Sequence, residues 1–119
     1  MVPKFQDSEL KIMEVLWKNG DMKAKDIAAI LTKEMGWNPN TTYTLIKRCI
    51  DKGGIERQNP NYICHACIEK EEVQRRETKE FVDKIYEGSE DKLFAALVSR
   101  KKLTSEDIKY LKELINKYE

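Results

Sequence analysis

The chain has 119 residues, the length of one domain or of one domain with a short extension. Hydrophobic residues make up 40% of it and charged residues 36%, a balance typical of charged helices around a thin core. No apolar run approaches the roughly 18 residues that a membrane span needs, and the amino terminus lacks the apolar stretch of a secretory signal. We therefore expect a cytoplasmic protein. Three cysteines, an odd number, do not indicate a disulfide framework.

The charge is nearly balanced, with a formal net charge of +1. Residues 1–68 carry ten Lys and Arg against eight Asp and Glu, and residues 69–119 carry twelve against thirteen. This is far from the basic extreme of a histone-like protein. Any nucleic-acid contact must therefore come from a local patch of side chains, because the field of the whole molecule is weak.

Two amphipathic helices are predicted at the start of the chain. Apolar residues recur at helical spacing over residues 8–18, where Asp7 or Ser8 is available as a cap. The same pattern returns over residues 23–35, and Gly36 suits the position just after a helix.

A third helix is predicted from Pro39 to about Lys52. Asn38 suits the cap of this helix and proline suits its first turn, while Gly53 and Gly54 end it. Its inner face would be formed by Thr42, Leu45, Ile46, Cys49 and Ile50. Its outer face would be polar, formed by Asn40, Thr41, Tyr43, Thr44, Lys47, Arg48 and Asp51.

A β-hairpin is predicted next, with strands over 55–57 and 62–68 around a polar turn at 58–61. Helical patterns then return over 69–86, 89–99 and 105–118, with Ser89 and Thr104 as caps. The fold class is therefore mainly α with a small hairpin. We expect a division into residues 1–68 and residues 69–119.

Three helices followed by a hairpin are the element order of a winged helix-turn-helix protein, in which the third helix enters the DNA major groove. The hairpin of such a protein contacts the flanking backbone. The alternative is an ordinary surface helix with a solvated polar face. On the first interpretation, the candidate DNA-binding residues are Asn40, Thr41, Tyr43, Thr44, Lys47 and Arg48 on the helix and Arg57, Asn59 and Asn61 on the hairpin.

Several sequence runs resemble the penicillinase-repressor (BlaI/MecI) family. They are LKIMEVLW at 10–17, KDIA at 25–28, TTYTLIKR at 41–48 and KGGI at 52–55. The resemblance covers nearly the whole chain, and the run in the third helix is its most distinctive part. It implies a homodimeric transcriptional repressor that binds double-stranded palindromic operator DNA and dimerises through its carboxy-terminal helices. Proteolysis by a sensor protease is the implied inducing signal in antibiotic-responsive members.

The chain departs from the family pattern at three places. Tyr43 stands where the family often has a basic residue, so operator preference is expected to differ. The carboxy terminus lacks the Cys-x-Cys cluster of copper-responsive members. The bond that matches the family's proteolytic site is Ala96–Leu97, where those members have Asn–Phe.

The last three predicted helices carry more apolar side chains than they can bury within one small chain, which favours a dimer interface. A compact helical cap within the monomer is the alternative. The candidate dimerisation residues are Phe81, Ile85, Leu93, Phe94, Leu97, Ile108, Leu111 and Ile115.

A metal or redox site at Cys64 and Cys67 is a weaker hypothesis. The two cysteines and His65 have zinc-like spacing, but alternation along a predicted strand would direct the two thiols to opposite faces. We expect no metal and no cofactor. An enzyme is the least supported class, because His65 is the only histidine and no nucleophile or phosphate-loop motif accompanies it. A helical protein-interaction adaptor remains a second alternative.

Overall fold

The computed structural model describes residues 2–100 and 104–118. The predicted fold class is confirmed: a winged helix-turn-helix arrangement is followed by further helices. The elements, in chain order, are α1 (Asp7–Asn19), β1 (Met22–Lys23), α2 (Ala24–Met35), α3 (Pro39–Asp51), β2 (Ile55–Gln58), β3 (Ile63–Ala66), α4 (Lys70–Ile85), α5 (Glu90–Arg100) and α6 (Ser105–Tyr118).

The chain forms two compact units, Met1–Arg76 and Glu77–Glu119. The first contains α1 to β3 and the start of α4, and the second contains the rest of α4 with α5 and α6. The compact units therefore divide within α4, further along the chain than residue 68. The functional division at residue 68 stays a prediction.

The helix ends follow from local capping. The predicted cap of α3 is confirmed, since the Asn38 side chain accepts a hydrogen bond from the Asn40 N–H at 2.8 Å and Pro39 is the first helical residue. Gly36 ends α2 in the left-handed conformation, with φ of 70°. The cap expected for α1 was wrong: α1 begins at Asp7, and the Gln6 N–H donates to the Glu9 carboxylate at 2.7 Å.

The small sheet has three antiparallel strands in the order β1-β3-β2. The predicted hairpin is present as β2 and β3, with Ile55 opposite Ala66 and Gln58 opposite Ile63. The sequence did not predict β1, because a strand of two residues carries no periodic pattern. The predicted turn was also displaced by one residue: Gln58 belongs to β2, and Tyr62 lies in the turn with φ of 50°.

The core of the first unit lies between α1, α2, α3 and the sheet, and α3 packs against both preceding helices. The four inner-face residues Thr42, Leu45, Ile46 and Cys49 are buried, as predicted, and Ile50 is half-buried. Gly54 is required where the chain leaves α3, since a Cβ there would lie 2.6 Å from the Phe5 ring.

A buried ion pair joins the two ends of this core. The Glu9 side chain is only 2% exposed, and its Oε1 accepts from the Lys52 ammonium at 2.6 Å. Lys52 also donates to the Lys4 carbonyl oxygen at 2.8 Å. Burial raises the pKa of Glu9, but the hydrogen bonds from Lys52 and from the Gln6 N–H outweigh it, so that this pKa lies below its usual 4.5. The start of α1 is thereby fastened to the residue after α3.

Two helices of the second unit, α5 and α6, have the predicted amino-terminal caps. The Ser89 hydroxyl accepts from the Lys92 N–H at 3.2 Å, and Thr104 and Asp107 exchange two backbone-to-side-chain hydrogen bonds of 3.1 Å. Val82 is buried, whereas many other apolar side chains of this unit are exposed. Within the described ranges, no helix combines the length and apolar character that crossing a membrane requires.

We predict that Lys52→Met lowers the free energy of unfolding by about 1–3 kcal/mol, because it leaves a buried carboxylate without its charged donor. Urea denaturation measures this loss. The control is Lys11→Met, which removes the exposed Lys11–Glu14 pair and is expected to cost under about 0.5 kcal/mol. The Glu9 contribution should be present above pH 4.5 and disappear as the pH falls through its lowered pKa. Equal losses in the two variants would contradict this account.

Candidate nucleic-acid interface

The outward face of α3 is the first part of the candidate interface. Burial of the opposite face fixes the rotation of the helix, so that one continuous polar surface faces solvent. Five of the six predicted residues on this helix are exposed: Asn40, Thr41, Thr44, Lys47 and Arg48. Asn40, Thr41, Thr44 and Arg48 line a shallow depression together with the buried Leu45.

The positive charge on this face lies in the carboxy-terminal half of the helix. Lys47 and Arg48 are adjacent, and the first turn of this fully described helix carries no acidic residue. Asp51, in the last turn, is also exposed. The Thr44 hydroxyl donates to the Asn40 carbonyl oxygen at 3.0 Å, so these two side chains lie on successive turns of one surface.

Tyr43 differs from its prediction. We expected it to point outward with the polar residues, but it is half-buried and packs at the margin of the core. Its ring centroid lies 6.3 Å from that of Tyr62, at an interplanar angle of 48°. The aromatic contact draws the side chain toward the hairpin, because the two rings bury more apolar surface together than either would alone.

The hairpin is the second part of the candidate interface. Arg57 on β2, and Asn59 and Asn61 in the turn, are all exposed, as their predicted role requires. The Arg57 guanidinium carbon lies 3.7 Å from the centroid of the Tyr62 ring. Tyr62 was not among the predicted site residues, because its position suggested a strand and no local signal indicated that its ring would contact both α3 and β2.

The three cysteines are free, and they differ in burial. Cys49 and Cys64 are buried, and burial raises the pKa of their thiols to about 12 and about 11. Cys67 is exposed and lies just after the end of β3. Among the residues that the structure describes, no group of three His, Cys, Asp or Glu side chains is placed to hold a metal ion.

His65 has a different partner. Its Nδ1 lies 2.8 Å from the Asp21 Oδ1, which joins the residue before β1 to the middle of β3. The hydrogen bond and the negative charge of Asp21 raise the pKa of His65 above its usual 6.5, and Glu56 and Glu69 act in the same direction. The pair is exposed and lies at the base of the hairpin.

The predicted dimerisation residues lie largely on exposed surfaces of the second unit. Phe94 is 47% exposed and Leu97 is 55% exposed; Phe81, Ile85 and Ile108 are comparable. Leu93 is half-buried, and the side chains of Leu111 and Ile115 lie outside the described residues. Two further exposed apolar residues of this unit, Val98 and Tyr110, were not among the predicted dimerisation residues. The spacing of Val98, four residues after Phe94, could have revealed it.

Three helices, a hairpin of β2 and β3 that forms the wing and pairs with β1, and an exposed polar face on the third helix define the winged helix-turn-helix class. The model of the Penicillinase repressor family matches residues 5–117. The chain belongs to the penicillinase repressor family, and is accordingly a DNA-binding repressor of the BlaI/MecI type.

Relatives with established names are similar over almost the whole chain. The methicillin resistance regulatory protein MecI of Staphylococcus aureus (strain N315) is 27% identical over 116 residues, covering 96% of this chain and 94% of MecI. The penicillinase repressor of Bacillus licheniformis is 22% identical over 119 residues, covering 98% and 93%.

Two solved structures are similar to part of the chain. The solution structure of the DNA-binding domain of the repressor BlaI has a TM-score of 0.55 and 26% sequence identity, covering 59% of this chain and 88% of that one. The Bacillus licheniformis BlaI monomeric form in complex with the blaP half-operator has a TM-score of 0.51, with the same identity and coverage.

We predict that the pKa of His65 lies above 6.5 and falls toward that value in Asp21→Asn. The ion pair should stabilise the fold fully below pH 6.5 and be lost as the pH rises through the raised pKa. Proton NMR titration measures this, and no second histidine in the sequence overlaps the signal. Asp26→Asn, an exposed change on α2, is the control. Equal titration curves for the parent and Asp21→Asn would rule out the pairing.

Proposed function

We propose that this chain acts as a homodimeric transcriptional repressor on a palindromic operator. The observation that carries the proposal is the division of α3 into a buried inner face and an exposed face bearing Lys47 and Arg48. Because packing against the core fixes the rotation of α3, the same side chains always face outward and are available to contact DNA. The BlaI monomer in complex with a half-operator supports DNA as the partner.

The proposed contacts follow from the chemistry of each side chain. Arg48 suits a guanine edge, where its guanidinium can donate two hydrogen bonds, and Lys47 suits a phosphate. Asn40, Thr41 and Thr44 can bond to phosphates or base edges at the start of the helix. Arg57, Asn59 and Asn61 on the hairpin would contact the flanking backbone.

Dimerisation is proposed through the second unit. The proposal is supported by exposed apolar side chains on α4, α5 and α6. Apolar surface exposed to water is unfavourable, and covering it with a second copy would remove this cost. Two-fold symmetry would match the symmetry of a palindromic site. Each half contributes few phosphate contacts, so a monomer is expected to bind at about the non-specific level, with a Kd of roughly 10⁻⁴–10⁻⁶ M.

Release by proteolysis is the proposed inducing step, with a sensor protease as the partner. Linking two DNA-binding halves raises affinity by about 10²–10⁴ without new DNA contacts. A cut after the hairpin would therefore remove this gain and leave the reading helix intact. The proposed bond, Ala96–Leu97, lies within α5 beside an exposed leucine.

We predict that Arg48→Ala and Lys47→Ala each weaken binding without unfolding the chain. The slope of log affinity against log salt should become shallower by about 0.9 for each phosphate that the variant no longer neutralises. Fluorescence anisotropy on duplex DNA from the region upstream of the chain's own coding sequence measures both effects. Lys11→Ala, an exposed change on α1, should bind like the parent. Parent-like binding by both α3 variants would remove α3 as the reading helix.

We predict that Phe94→Asp with Leu97→Asp produces a folded monomer that no longer holds a palindromic duplex tightly, because two charges would enter the proposed interface. The expected loss of affinity is about 10²–10⁴ on the palindrome and small on a half-site. Sedimentation velocity and gel shift on the same sample measure assembly and binding.

The matched control is Ser99→Asp, which adds a charge at an exposed polar position of α5. It should remain dimeric and bind like the parent. A double variant that is monomeric yet binds the palindrome as tightly as the parent would show that affinity does not come from dimerisation.

A further inference from the structure

Tyr62 occupies a junction between the hairpin, α2 and α3. Its carbonyl oxygen accepts a hydrogen bond of 3.0 Å from the Ala24 N–H, the first residue of α2. The first N–H groups of a helix have no partner within the helix, so this bond satisfies one of them. Tyr62 has a φ of 50°, which is uncommon for an aromatic residue. The turn is therefore fastened to α2 through its main chain.

The Tyr62 ring has two partners. The Arg57 guanidinium lies over the ring at 3.7 Å, well within the range of a cation–π contact. The Tyr43 ring, on α3, lies 6.3 Å away in a tilted arrangement. Burial raises the pKa of the Tyr62 hydroxyl, electrostatic contributions from Cys64 and Tyr43 act in the same direction, and together they outweigh the lowering by Arg57, so the phenol is the neutral form at physiological pH.

The sheet register decides which face Arg57 occupies. Arg57 is opposite Cys64 in the β2–β3 pair, and directly opposed residues share one face of a sheet. Cys64 is buried in the core, so Arg57 lies on the core-facing side of the sheet. Its side chain is nevertheless exposed. Glu56, opposite His65, belongs to the other face. Arg57 therefore lies near the place where Tyr62 of the wing contacts Tyr43 of α3.

We propose that Tyr62 is a positioning residue, which holds the Arg57 guanidinium over its own ring while that ring packs against Tyr43, so that the wing and α3 engage DNA as one surface. This inference rests on the proposed DNA-binding function and adds a specific device to it. A free arginine would lose side-chain freedom on binding a phosphate, whereas a guanidinium already stacked on a ring has lost much of it beforehand. In this arrangement Tyr43 acts through its contact with Tyr62, and it sets the spacing between the DNA contacts of the wing and those of α3.

The test is a double-mutant cycle on Arg57 and Tyr62, measured by fluorescence anisotropy at graded KCl on the upstream duplex. Arg57→Ala should make the log–log salt slope shallower by about 0.9. Tyr62→Leu should lose several-fold in affinity in the parent background and less than about twofold in the Arg57→Ala background, because there is then no cation to position. Tyr62→Phe keeps the ring face and should bind like the parent. Equal losses from Tyr62→Leu in both backgrounds would overturn the proposal.

Arg57→Lys keeps the test decisive if Tyr62→Leu fails to fold. Lysine keeps the charge and can still approach the ring face, but it lacks the planar guanidinium that stacks on the ring, so it should be held less firmly and bind below the parent level. Parent-like binding of Arg57→Lys would overturn positioning by Tyr62.

An NMR measurement without DNA separates this inference from the proposed function. The Arg57 side-chain protons should be shifted upfield by the Tyr62 ring, and the shift should persist in Tyr62→Phe but not in Tyr62→Leu. Upfield shifts in a parent that binds no duplex would refute the proposed function alone. Absence of the shift in a parent that does bind DNA would refute the positioning alone.

Discussion

The rotation of α3 about its own axis is the constraint on which the candidate interface depends. Ile46 and Cys49 are fully buried against the preceding helices, so a turn of the helix by one residue would expose them and bury Lys47 or Arg48. Burying an unpaired cation costs far more than any polar contact returns. The core thus selects one orientation, and the polar face points outward as a consequence of packing.

The buried Glu9–Lys52 pair supports the same orientation from the end of α3. A carboxylate that is 2% exposed is tolerated because it accepts from both an ammonium and a backbone N–H. Its position requires α1 to begin beside the residue that follows α3. The chain then turns directly into β2 at Gly54, where the Phe5 ring leaves no room for a side chain. Core, ion pair and glycine together determine where the wing starts.

The two compact units have different proposed roles, DNA binding for the first and dimerisation for the second. The first buries its apolar residues and exposes polar side chains on α3 and the hairpin. The second leaves Phe94 and Leu97 about half exposed, an arrangement that suits association with a second copy. The net charge of +1 is compatible with this proposal, since a few local cations would contact each half-site in place of a strongly basic surface.

Residue spacing and local hydrogen bonds were enough to predict the helices, the caps at Asn38 and Gly36, the hairpin and the buried face of α3. The motifs by which the family is recognised are also present in the sequence. The third strand, the burial of Glu9, and the contacts of Tyr43 and Tyr62, which were expected on an outer helix face and in a strand, depend on the tertiary fold. Each of these results from groups distant in the chain: β1 pairs with β3, Glu9 meets Lys52, and Tyr62 bonds to the start of α2. Periodicity cannot reveal such contacts, because it reports only which face of its own element a residue occupies.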